Sequence, residues 1–241
     1  MRKTATLVLA LMLVATAAFA AGAGPFYAKG SYYAGTVGTW NGDAGNLLAY
    51  NSGTGFWTGV VTADQAYARH EFKIANADWS ESYFPWCNLW VHCGTGDQVT
   101  FTLDTNVYAD GWFPTQDIVW SSHFAPPGTT FEVIGGAPET GSWGSGTAAT
   151  LIGTVWTLST PIATPGSYEA KFRATGTWDI CNIGTEGAGA PCGANLQYTT
   201  TAANEFVTFE FNQATGRARV FNGSPVPAVQ GSWGQVKTLY R

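Results

Sequence analysis

The sequence predicts an all-β protein, two tandem β-sandwiches behind a signal peptide. Apolar and polar residues alternate with period two in segment after segment, the pattern of strands with one face on a core and the other in water. Turn pairs such as Asn-Gly, Ser-Gly and Gly-Thr close these segments about every ten residues. Beyond the N-terminus no stretch keeps a helical apolar period. The third observation is duplication, because the landmarks of the first half return in order in the second.

Taken in order, Met1-Arg2-Lys3, the apolar run Ala5 to Phe19 and the small residues around Ala20 fit a secretory signal over 1–20. Gly22, Gly24 and Pro25 follow too soon for a spanning helix, and no later segment is apolar for long enough, so no membrane span is expected. Without Arg2 and Lys3, nine Lys and Arg remain against sixteen Asp and Glu, a net charge of −7 that makes nucleic acid a poor partner. The first sandwich is expected over 26–114, a stiff connector over 115–129 ending in Pro126-Pro127-Gly128, the second sandwich over 130–223 and a tail over 224–241. Phe72 and Ile74 alternate with Glu71 and Lys73, and Val99, Phe101 and Leu103 with Thr100 and Thr102. Their counterparts are Tyr168, Ala170 and Phe172 between Glu169 and Lys171, and Val207, Phe209 and Phe211 between Thr208 and Glu210. Trp57 precedes Trp79 by 22 positions, as Trp156 precedes Trp178.

Only 11% of residues are charged and 15% are aromatic, a mixture closer to extracellular β-rich modules than to cytosolic enzymes. One cysteine pair falls in each repeat, Cys87 with Cys93 and Cys181 with Cys192. In an exported chain these read as disulfides, and of the three possible connectivities the duplication favours the one within each repeat. The spacing is not that of a four-cysteine metal site.

The repeat resembles the small immunoglobulin-like starch-binding modules found beside pullulanases, glycogen-branching enzymes and outer-membrane starch-utilisation proteins. The resemblance rests on the opening strand with its Gly and a following Trp (Phe26 to Gly30 and Trp40; Phe131 to Gly135 and Trp143), and on Phe56-Trp57-Thr58 or Val155-Trp156-Thr157. It rests most on Tyr67 to Ser80, a strand carrying Phe72 and Lys73, then a polar turn and Trp79. It covers nearly all of both modules at dispersed positions; the cysteine pairs, Trp86 and Trp90 depart from it. It implies immunoglobulin-like sandwiches that bind α-glucan without catalysis.

Sugar chemistry agrees with that implication. An indole covers the C–H face of a pyranose, and amides, carboxylates and ammonium groups bind its hydroxyls. Candidates in the first module are Trp40, Lys73, Trp79, Trp86, Asn88 and Trp90, and in the second Trp143, Lys171, Trp178 and Asn182. Trp79 and Trp178 follow strands in polar loops and suit a surface role, Trp40 and Trp143 fit core or surface, and Trp57 and Trp156 read as core. With Trp86 and Trp90 at a cysteine-closed loop, the first module is expected to bind more tightly than the second.

Catalysis finds little footing. Gly-x-Ser-x-Gly, His-Glu-x-x-His and phosphate-loop motifs are absent, and His70, His92 and His123 lack the spacing of a zinc site. Asp104, Asn106 and Asp110 lack the Gly and terminal Glu of a calcium loop. Neither enzymatic activity nor a cofactor or metal is expected. The leading expectation is a secreted, periplasmic or cell-surface polysaccharide-binding protein. The alternative is a structural or adhesive surface protein that assembles with other cell-surface proteins through its β-modules and the tail ending in Ser232 to Arg241.

Overall fold

The computed structural model describes residues 24–83, 87–189 and 191–224. The expected signal over 1–20, Trp86 and all but the first residue of the expected tail lie outside these residues.

The architecture is all-β, with every strand pair antiparallel. The first half contributes β1 (Phe26–Gly30), β2 (Ala49–Asn51), β3 (Phe56–Thr62), β4 (Ala68–Asn76), β5 (Leu89–Cys93), β6 (Gln98–Asp104) and β7 (Ile118–Ser121). They form one sheet in the order β1-β4-β5 and another in the order β2-β3-β6-β7. Alternation puts Phe72 and Ile74 of β4 and Val99, Phe101 and Leu103 of β6 in one buried cluster between these sheets, while Glu71 is exposed. The Phe72 and Phe101 rings meet edge to face, 4.8 Å apart.

The second half contributes β8 (Phe131–Gly135), β9 (Thr147–Ala148), β10 (Thr150–Ile152), β11 (Val155–Ile162), β12 (Gly166–Ala174), β13 (Asn182–Gly184), β14 (Gly187–Ala188), β15 (Leu196–Thr200), β16 (Glu205–Asn212) and β17 (Arg217–Asn222). One sheet runs β14-β13-β12-β8-β9, with β15 also pairing β12; the other runs β10-β11-β16-β17. Between them lies a second cluster that includes Phe131, Phe172, Val207, Phe209 and Phe211. The registers agree in detail: Trp57 stands opposite Leu103 on β6, and Trp156 opposite Phe211 on β16. As expected from sequence, both indoles pack on their cores.

The chain leaves β1 and β8 through a glycine in each half. A Cβ at Gly30 would lie 2.4 Å from the Glu71 carbonyl oxygen, and one at Gly135 2.5 Å from that of Glu169, so neither position has room for a side chain. The same two glycines accept the backbone N–H of Trp40 and Trp143, respectively.

Two expectations need correction. Ile118–Ser121, read from sequence as part of a connector over 115–129, is a strand that pairs with β6. Phe124 beyond it is buried in the second cluster and Trp120 packs on that cluster, so this segment is fixed to both halves. The cysteines also pair otherwise than expected. The disulfide joins Cys87 to Cys192, 105 positions apart, and Cys93 and Cys181 are free thiols. Alternation supplies the reason. Leu89, Val91 and Cys93 all face the first cluster and Cys181 belongs to the second, so these two sulfurs point into separate cores. Burial pushes both thiols up to about 12. In the chain-entropy picture a cross-link closing a loop of this length stabilises the fold by about 4–5 kcal/mol.

The halves also meet through direct bonds. Trp90 N–H donates to the Gly189 carbonyl at 2.8 Å, the His92 Nε2 lies 2.8 Å from the Ile180 carbonyl oxygen, and Phe113 and Ala218 exchange two backbone bonds. Arg217 grips both Asp110 oxygens at 2.9 and 2.7 Å and also the Trp112 and Pro114 carbonyls, so Asp110 is committed to an ion pair. Among the described residues no helix is long and apolar enough to cross a membrane.

Candidate binding site

Strand β12 builds the site. Its even positions, Ala170 and Phe172, enter the core, so Glu169, Lys171 and Arg173 share the opposite face. Arg173 and Glu132 are both nearly buried and paired at 2.6 Å, and the guanidinium lies 4.8 Å from the centre of the Trp178 ring. Trp178 is thus held from beneath while 36% of it stays exposed. Trp143, 40% exposed, takes a left-handed backbone (φ 62°) with its N–H bonded to Gly135. Residues other than glycine occupy that region at a cost of about 1–3 kcal/mol, and such positions cluster at ligand clamps.

Trp90 completes the arrangement from the first half. On β5 it points away from the first core, and the Arg69 guanidinium stacks 4.2 Å from its ring centre while donating to the Asp179 carbonyl across the junction. Trp90, Trp143 and Trp178, with Glu169, Lys171, Asp179, Asn182, Pro191 and Asn195, line an open cleft of about 580 Å³. This is within the range of ordinary ligand sites.

The polar groups of the cleft are pre-arranged. Asn195 and Gln197 donate to the two Glu169 oxygens at 2.7 and 2.9 Å. Lys171 Nζ donates to the Gly193 carbonyl, and Asn182 Nδ2 to the Pro191 carbonyl at 3.3 Å. Asn182 Oδ1 is buried and has no hydrogen-bond partner among the described residues. Burial draws the Lys171 ammonium below the usual lysine value, opposed by the charge of Glu186.

Of the residues singled out from sequence, Trp90, Trp143, Lys171, Trp178 and Asn182 come together here. Trp40 and Trp79 form a separate pair in the first half, with ring centres 6.3 Å apart at 37° and both backbones left-handed (φ 65°). Lys29 lies beneath, its Nζ 4.5 Å from the Trp79 ring centre and bonded to the Asn76 and Ala77 carbonyls. Asn88 bonds Glu71 at 2.7 Å, and half-buried Lys73 stands near them on β4. The expectation of a richer site on the first module rested on Trp86 and Trp90; Trp86 lies outside the described residues, and the Trp90 ring lines the cleft with residues of the second half. Glu169 and Asn195 are not among the binding candidates that the sequence offers. Glu169 was within reach of it, since period two puts it on the same face as Lys171.

No protein-family model matches the chain, and no curated protein matches it.

Proposed function

We propose that this chain is an exported, non-catalytic polysaccharide-binding protein made of two tandem immunoglobulin-like β-sandwiches, and that the cleft between Trp90, Trp143 and Trp178 is its principal site. The observation that carries the reading is the joining of three accessible indoles to a floor of Lys171, Asn182, Glu169 and Asn195. Indoles cover the apolar faces of pyranose rings, each contributing about 1–2 kcal/mol. Lys171 keeps two donors beyond its bond to Gly193, and the Asn195 and Glu169 groups beside it are polar partners for hydroxyls. The Trp40–Trp79 pair is a second, smaller platform for the same chain. α-Glucan is the favoured ligand because of the family resemblance. A signal peptide over 1–20 and a disulfide suit a secreted, periplasmic or surface location.

Affinity electrophoresis of the mature chain in gels containing amylopectin, xylan, cellulose or chitin is the test. Retardation in at least one gel is expected, and unretarded migration in all of them contradicts the proposal. A second reading, assembly with other surface proteins, draws on β10, an edge strand with Leu151 42% and Ile152 65% exposed. Light scattering of the mature chain separates the readings, since a strict monomer argues against assembly.

A further inference from the structure

Resting on the polysaccharide reading, we infer that the Cys87–Cys192 disulfide is a positioning element of the cleft: it pins the loop that orients Lys171 and Asn182, and its reduction by a dithiol loosens that loop and weakens glycan binding.

The placement of Cys192 carries the inference. Its two chain neighbours each anchor one polar side chain of the cleft: the Pro191 carbonyl accepts from Asn182 Nδ2, and the Gly193 carbonyl accepts from Lys171 Nζ. Pro191 itself lines the cleft. The residue between them is tied to Cys87 in the first half, three positions before Trp90. One covalent bond therefore sets the loop on one side of the cleft relative to the segment that carries the indole on the other.

The remaining contacts divide sharply around this loop. Trp90 is held independently by its bond to Gly189 and by Arg69, and the halves stay joined through Phe113 with Ala218 and Arg217 with Asp110. On the far side Ala194 N–H bonds Glu186, and Asn195 bonds Glu169. What loosens on reduction is the short stretch around Cys192, and the fold and the Trp90 wall persist. Cys192 is exposed, so a dithiol can reach it, whereas Cys93 and Cys181 are buried in separate cores and cannot take over the exchange. The chemistry balances: a dithiol such as dithiothreitol supplies two electrons and two protons, the S–S bond breaks to give two thiols, and the dithiol closes to its own disulfide.

The test uses the full mature chain, oxidised and dithiothreitol-reduced, with circular dichroism to follow the fold. Two readouts are taken: retardation in the polysaccharide gel that retains the oxidised chain, and acylation of Lys171 by an N-hydroxysuccinimide acetate, followed by mass spectrometry. Buried Lys29 in the first half is the internal reference. Reduction is expected to weaken binding about tenfold, the scale of one unfixed hydrogen bond to a charged donor, and to speed labelling of Lys171 while leaving Lys29 unchanged. Equal retardation in both states overturns the inference, as does a parallel rise at Lys29, which would mean general loosening. If no gel retains even the oxidised chain, the polysaccharide reading fails, and Lys171 labelling alone decides: unchanged labelling overturns the positioning role. Loss of the fold in the reduced chain also overturns the inference, because the loosening is expected to stay local to the stretch around Cys192.

Discussion

The two halves display Trp40 with Trp79 and Trp143 with Trp178 in closely similar ways, yet among the described residues it is the second pair that joins a cleft walled from across the junction. Trp40 and Trp143 bond the glycine that ends the opening strand, both with left-handed backbones. Trp79 and Trp178 each have a cation beneath the ring, but from different strands: Lys29 on β1 in one case, Arg173 on β12 in the other. An exposed indole loses conformational freedom when it binds, and a cation fixed below the ring takes up part of that loss in advance. The difference lies in the third wall. The second half gains Trp90 from across the junction, whereas Trp40 and Trp79 pair with each other within the first half. Similar strand frameworks can thus carry unequal sites when the contact between the two halves is one-sided.

The largest expected effect sharpens the comparison between the two cations. Arg173→Ala leaves Glu132 buried and unpaired, which should cost about 3–5 kcal/mol in stability by chemical denaturation. Lys29→Met loses two bonds to carbonyls and the cation beneath Trp79 but keeps its aliphatic packing and leaves no buried charge unpaired, so about 1–3 kcal/mol is expected. Equal losses would mean that the two supports are equivalent after all.

Next come the rings. Trp178→Ala should weaken polysaccharide binding by about 1–2 kcal/mol, roughly five- to thirtyfold in Kd, and Trp79→Ala by less, with both variants folded. A larger loss for Trp79→Ala in calorimetric titration would move the principal site to the first half.

The smallest effect is one of pH. The loop that carries Trp40 is braced by Asp43, which accepts the Thr36 and Gly45 N–H groups and the Tyr33 and Thr36 hydroxyls. These bonds, that of the Thr36 N–H foremost, hold its carboxyl below the usual aspartate value of 3.8. A lowered value stabilises the folded loop above pH 3.8 and is lost as pH falls through the folded value. The Trp143 loop turns instead on backbone bonds, Gly141 N–H to Pro138 and Ser142 N–H to Ala137. Acid should therefore lower the protection of the Thr36 and Gly45 amides, measured against their intrinsic exchange rate at each pH, while leaving that of Gly141 and Ser142 unchanged, and Asp43→Asn should abolish the contrast.

Much of the fold was legible in the sequence because period-two burial is a local property. Phe72 with Ile74, and Val99 with Phe101 and Leu103, face inward as their alternation predicts. The same rule applied to Leu89, Val91 and Cys93 would have turned the Cys93 sulfur into the core and removed it from the disulfide, but pairing by duplication took precedence. β7 escaped notice because Ile118-Val119-Trp120-Ser121 is short and does not alternate, and β13 and β14 are shorter still. The residue types of the site were readable; their grouping was not. Trp90 and Asn182 meet only through a junction between distant segments, and no local pattern in one sequence encodes that meeting.

The central claim is that one cleft, walled by residues of both halves, is the principal polysaccharide site. Trp90→Ala tests it most directly, because this residue belongs to the first half by sequence and to the cleft by position. Calorimetric titration of the full mature chain with the polysaccharide that retards it should show binding weakened about tenfold, on the scale of one stacking ring. Unchanged affinity in a folded Trp90→Ala chain, together with lost binding in Trp79→Ala, would contradict the account and leave each half to bind alone.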